Sequence, residues 1–161
     1  MAWTTPPAFT VGQVLGAASL NAMSADLTDL DSRTRPSNNV IASSQTTTST
    51  SYTDLATPGP AVTKTTGVLA MVVITAEVDT TGAGVSPYMS FAVTGASSVA
   101  ATDANAIRVD SSAIVNVAAS YAFLVIVTAG SNVFTAKYRV GSGTGTFVNR
   151  SMIVWPGGNL S

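Results

Sequence analysis

The sequence holds no cysteine and no histidine. Without cysteine there is no disulfide framework, no thiolate metal site and no cysteine nucleophile. Without histidine, the commonest general base and the commonest metal ligand are both missing. Charge is scarce too: 9% of the residues are charged, against about 25% in an ordinary soluble domain. The net charge of −1 leaves no basic footprint, so nucleic acid is not an expected partner. Long apolar runs are also missing. Val68–Ala76 and Tyr121–Val127 fall well short of the ~20 residues a membrane-spanning helix needs, so no membrane partner is expected. No basic stretch followed by an apolar one opens the chain, and no signal peptide is expected.

What is there is length, β-forming residues and hydroxyls. A chain of 161 residues suits one domain with an appendage, and at that size roughly 68–70% of the unfolded surface can be buried. Serine and threonine stand where charge would. A surface so poor in charge suits a chain whose outer faces are covered by other subunits.

Residues 1–35 read as an arm followed by an anchoring helix. Pro6 and Pro7 exclude helix interior from the arm. Leu20, Met23, Leu27 and Leu30 are spaced 3, 4, 3, an a/d stripe of two heptads among polar neighbours. Arg33 and Arg35 suit the C-terminal end of the helix dipole, and Pro36 ends the helix. This seam packs either on the chain's own β domain or on other subunits.

Residues 36–161 read as a β-sandwich domain. The Ser/Thr-rich stretch Ser43–Ser51 leads through Tyr52 and Leu55 to Pro58-Gly59-Pro60 and is read as strand and turn. Further strands are expected at Ala61–Thr66, Val68–Val78, Tyr88–Thr94, Ala106–Asp110, Ser120–Thr128, Asn132–Val140 and Thr146–Trp155. About eight or nine short strands with regular turns imply an antiparallel, jelly-roll-like β-sandwich. Phe134, Ala136, Tyr138 and Val140 alternate with Thr135, Lys137 and Arg139, one face apolar and one polar. Val72–Ile74 and Phe123–Val127 are apolar on both faces, as expected of strands covered on both sides.

No catalytic constellation emerges, and neither a cofactor nor a metal site is expected. Gly141–Gly145 superficially resembles a phosphate loop, but an apolar strand follows it rather than a helix, so it is read as a hairpin loop. Glu77, Asp103 and the other carboxylates flank strand ends and form no evident pair. Lys64 and Lys137 have no serine placed beside them. Arg139 and Arg150 are expected on the last hairpin, pairing with acids or entering a subunit contact. Tyr88 and Tyr121 are the residues outside the core pattern that could stack on a sugar.

Several segments, in order, resemble small virion proteins of tailed bacteriophages. They are Trp3-Thr4-Thr5-Pro6, Val11-Gly12-Gln13-Val14 and Ala18-Ser19-Leu20-Asn21 at the start. Tyr52–Leu55 and Met89–Ala96 follow, then Tyr138-Arg139-Val140, Gly143–Phe147, Asn149-Arg150, Ile153-Val154 and Pro156. Ser24-Ala25-Asp26 stands where many relatives carry an Arg-Asp-Asn-like stretch, and Gln13 replaces the usual acidic residue. The resemblance implies a non-enzymatic structural protein on the exterior of a virion, assembled in the host cytoplasm. Its partners would be copies of itself, commonly as a trimer, and the major capsid or tail proteins. A capsid decoration or head-fibre protein fits the short chain; a minor tail or tail-fibre protein binding host glycan is the alternative. Trp3, Phe9, Leu20, Met23, Leu27, Leu30 and Trp155 are the expected oligomer or docking contacts.

Overall fold

A computed structural model of the chain describes residues 10–14, 16–80, 82, 84–110 and 116–157. Helix α1 (Ala17–Thr34) comes first and ends as Pro36 demands. The backbone N–H of Arg35 caps the carbonyl of Asp31, and the Arg35 side chain reaches the Asp31 carboxylate at 2.8 Å. Among the described residues nine strands follow: β1 (Ser37–Ile41), β2 (Gln45–Thr47), β3 (Ala61–Thr66), β4 (Leu69–Thr80), β5 (Pro87–Gly95), β6 (Ile107–Arg108), β7 (Asn116–Ile126), β8 (Gly130–Val140) and β9 (Gly145–Pro156).

The strands form two antiparallel sheets. Sheet A runs β1-β9-β4-β7, with β2 also on β9, and sheet B runs β3-β8-β5-β6. If β1 and β2 are taken as one interrupted strand, the sheets read 1-8-3-6 and 2-7-4-5. That wrapping, in which the first strand pairs with the last and the fold nests inward, is the jelly roll.

Alternation fills the space between the sheets. Ala70, Val72, Ile74, Ala76 and Val78 of β4 point inward, as do Phe134, Ala136, Tyr138 and Val140 of β8. Phe91, Phe147, Met89, Met152 and Val154 complete the core, each fully buried. Each such side chain contributes roughly 1.5–3 kcal/mol of burial. Tyr138 sets its ring edge-on to Phe147 at 4.8 Å and donates its hydroxyl to the carbonyl of Gly59 at 2.8 Å. Near one end, Asn132 is wholly buried and satisfied: its amide donates to Thr66 and the Thr128 carbonyl and accepts from the Ser97 N–H.

The structure departs from three sequence expectations. Gly141–Gly145 links β8 in sheet B to β9 in sheet A, so it is an inter-sheet crossover rather than a hairpin. Residues 48–55 form no strand; Thr53 makes a single bridge to Tyr138. The expected Ala106–Asp110 strand shortens to Ile107–Arg108.

Geometry demands a glycine at position 95. Gly95 closes β5 at φ +99°, and a Cβ there would lie 2.5 Å from the Ser131 carbonyl oxygen. Backbone, which cannot swing aside, is the obstacle. Gly95→Ala is expected to cost about 2 kcal/mol in a urea unfolding series; an unchanged midpoint would show that the β5–β8 corner is free to relax.

Candidate assembly surface

The two outer faces of the sandwich are built differently. The chain's own loops roof sheet B. The Ser90 hydroxyl, on the outer face of β5, donates to the carbonyls of Thr102 and Asn105. Arg139 of β8 donates from Nε to Asp103 at 2.9 Å, and its guanidinium lies 3.6 Å from the ring centre of Tyr88. Tyr52 donates its hydroxyl to the same Asp103 at 2.9 Å. Lys137 pairs with Asp54 at 2.7 Å and Arg108 with Asp110 at 2.6 Å. Arg139 thus pairs with an acid, as the sequence suggests, and Tyr88 is buried beneath arginines rather than open to a sugar.

These contacts set the titration of the roof. The Arg139 guanidinium holds the Asp103 carboxyl below the usual range, outweighing burial, with the Tyr52 hydroxyl adding to it. Such a carboxylate stabilises the fold above its unfolded value and loses that contribution as pH falls. Burial pushes the Tyr52 phenol well up, and its bond to Asp103 pushes further. Burial likewise raises Tyr138, against the opposing charge of Arg150. A raised phenol stabilises fully below its unfolded value of about 10 and less as pH climbs through the folded value. Tyr52 and Tyr138 are therefore expected to ionise only with alkaline unfolding, read as a late step in phenolate absorbance. Ionisation of these two phenols ahead of unfolding would contradict the burial that raises them.

No such roof covers sheet A among the described residues. Register gives its outer face row by row. Leu69 faces Ile126; Met71 lies between Leu124 and Trp155; Val73 lies between Ala122 and Ile153. The next row is hydroxylated, Thr75 meeting Ser120 at 2.8 Å with Ser151 beyond, and Glu77 and Asp79 come after it. Leu124 is 73% exposed, Ile126 75% and Met71 39%. The apolar rows lie at the end of the sheet where α1 enters: Ser37 pairs Val154, so Pro36 is level with Trp155, Met71 and Leu124.

The helix is equally bare. Leu20, Met23, Leu27 and Leu30 are 48%, 41%, 63% and 47% exposed. The seam foreseen from the 3, 4, 3 spacing exists and is not packed on the chain's own sandwich. Trp155 is half-buried on sheet A beside Met71, so the structure does not bring it onto the helical seam. Trp3 and Phe9 lie outside the described residues, as does the Arg33 side chain. Sequence reading missed Met71, Leu124 and Ile126 as surface groups. Their signal is the double-sided apolar run Phe123–Val127, which marks a covered strand without saying which side the chain itself covers.

Arg150 corrects another expectation. Among the described residues it meets no acid, and it lies inside the chain rather than on its surface. It is wholly buried, with its guanidinium 5.5 Å from the Tyr138 ring centre and long contacts to the carbonyls of Thr57 (3.5 Å) and Ser43 (3.4 Å). Among the described residues its Nε has no hydrogen-bond partner.

Among the described residues no three His, Cys, Asp or Glu side chains gather to hold a metal ion. None of the described helices is long and apolar enough to cross a membrane. Lys64 lines a shallow depression with Ser37, Thr63 and Thr65, at the β1–β3 side of the sandwich.

Fold and surface together define a class: a jelly-roll β-sandwich with one self-roofed face, one face left apolar and open among the described residues, and a helix whose apolar seam is exposed. No family model matches the chain, and no curated protein matches it. Part of its shape is similar to two solved virus structures. One is the VP2 subviral particle of infectious bursal disease virus, at 11% identity and TM-score 0.44, covering 77% of this chain and 34% of that one. The other is the Gx strain of the same virus, at 12% identity and TM-score 0.38, covering 78% of this chain and 34% of that one. The chain thus spans about a third of the length of either. The jelly-roll assignment rests on the strand order alone.

Proposed function

We propose that the chain is a non-enzymatic structural protein of a tailed-bacteriophage virion. In this reading it is a head decoration or head-fibre protein, docked through its N-terminal arm and α1, with the sandwich on the exterior. The carrying observation is the unburied seam of α1. An 18-residue helix with no side-chain N-cap and no buried apolar stripe has little to hold it folded in water. Its natural state is one in which the seam is covered. The phage-like order of segments around Trp3-Thr4-Thr5-Pro6 and Ala18–Asn21 supports a virion as the setting. Many equivalent copies on a particle would then turn modest contacts into lasting attachment.

Immunogold electron microscopy of lysate particles, with antibody against residues 60–156, tests the reading. Gold over the heads is the expected result. Gold at the tail tip would overturn the head assignment in favour of the tail alternative, where exposed Tyr121 beside Phe123 offers a stacking surface. No gold on any particle would overturn the virion reading itself.

A further inference from the structure

We propose that the outer face of sheet A, on its β7 side, is a contact between copies of this chain, continuous with the contact made by α1. This goes beyond the virion reading and fits it when the α1 helices of several copies gather and dock on the head together.

Four observations carry it. First, the face is contiguous and uncharged over three rows, from Leu69 and Ile126, through Met71, Leu124 and Trp155, to Val73, Ala122 and Ile153. Glu77 and Asp79 come only beyond the hydroxylated row of Thr75, and six other charged side chains pair with one another in the roof of sheet B. A partner recognised by charge finds nothing here; a second apolar face of the same kind does.

Second, β7 is an edge. Among the described residues nothing pairs with its free side, and its eleven residues hold no charge and no proline. Soluble proteins blunt such edges with lysine, proline or a covering element. An unblunted edge with Leu124 and Ile126 outward and Tyr121 exposed on its other face belongs under another molecule.

Third, the face and the seam share an end. Only Arg35 and Pro36 separate α1 from β1, and Pro36 is level with the Trp155–Met71–Leu124 row. Copies gathered by their helices therefore bring these faces to the same region.

Fourth, neither surface suffices alone. Four part-exposed seam residues, or Leu124, Ile126 and Met71 with their neighbours, make a patch smaller than the about 800 Å² that a stable interface takes from each partner. Two heptads are likewise too short for a lasting coiled coil. One set of copies that covers both surfaces adds the two patches together.

The test uses the full chain. Sedimentation of the wild type is expected to show a homo-oligomer, with β7 and α1 amides both protected from hydrogen exchange in a concentration-dependent way. Leu124→Asp and Ile126→Asp, at exposed positions that leave the core intact, are each expected to raise the dissociation constant about a hundredfold with an unchanged far-ultraviolet spectrum. Thr135→Asp, on the outer face of sheet B, is expected to leave assembly unchanged. An oligomer indifferent to both β7 variants, or one that protects α1 but not β7, would overturn the proposal. So would a monomeric wild type whose β7 becomes protected only on particles, because another virion protein would then be the occupant. Immunogold location bears on none of these outcomes, so the failure of either reading is visible on its own.

Discussion

Arg150→Ala is expected to destabilise the fold by about 3–5 kcal/mol, the range of a large side chain removed from a close-packed core. Arg150 is among the largest fully buried side chains. Its removal leaves a cavity against Tyr138 and strips the Thr57 and Ser43 carbonyls of their only guanidinium contact among the described residues. Arg150→Met separates volume from charge. Methionine refills most of the space, while the charge it removes is poorly compensated: the contacts are long, and among the described residues Nε has no partner and no carboxylate bonds the guanidinium. Replacing such a group by an apolar one of similar volume is often neutral or stabilising. The methionine variant is therefore expected within about 1.5 kcal/mol of wild type by urea unfolding. If methionine were as damaging as alanine, the guanidinium would be holding the backbone at Ser43 and Thr57 by its charge and not by its bulk.

That residue also shows why part of the structure could not be read from the sequence. Strict alternation counted forward from inward Phe147 turns Arg150 outward; counted back from Met152 and Val154 it turns Arg150 inward. A bulge reconciles the two. Ala76 alone on β4 stands opposite both Asn149 and Arg150 on β9, and Asn149 takes up φ 49°. Asparagine tolerates that conformation, but a single Asn is too common a signal to locate a bulge. The Gly141–Gly145 crossover hid for a related reason. Turn chemistry reports that the chain reverses, not whether the next strand joins the same sheet. The β8 alternation was legible because one of its faces is apolar and the other charged. The α1 seam was legible because apolar residues spaced 3, 4, 3 among polar ones line up on a helix and scatter over both faces of a strand. Sheet A's bare face was half legible: Phe123–Val127 announces cover on both sides, but only the fold shows that the chain itself supplies one.

A carboxylate in the helical seam is the sharpest probe of what α1 is for. In particles made with Leu27→Asp, occupancy by this protein is expected to fall about a hundredfold or more. Leu27 is the most exposed member of the seam and sits near its middle. Covering such a leucine contributes roughly 1.5–3 kcal/mol. Burying an uncompensated carboxylate in its place adds a cost of its own. At about 1.4 kcal/mol per tenfold, two or more decades follow from one contact, and repetition of the site around a symmetric assembly steepens the loss. The free protein's sandwich should be untouched, because α1 contributes nothing to the core between the sheets; its urea midpoint checks this. Asn21→Asp, on the polar side of the same helix, brings the same charge without entering the seam and is expected to change occupancy by less than about threefold. Equal losses from the two variants would mean that charge anywhere on α1 is rejected, and the partner surface would then be acidic rather than apolar. No loss from either would leave the seam without a partner on the particle and turn attention to the arm that precedes it.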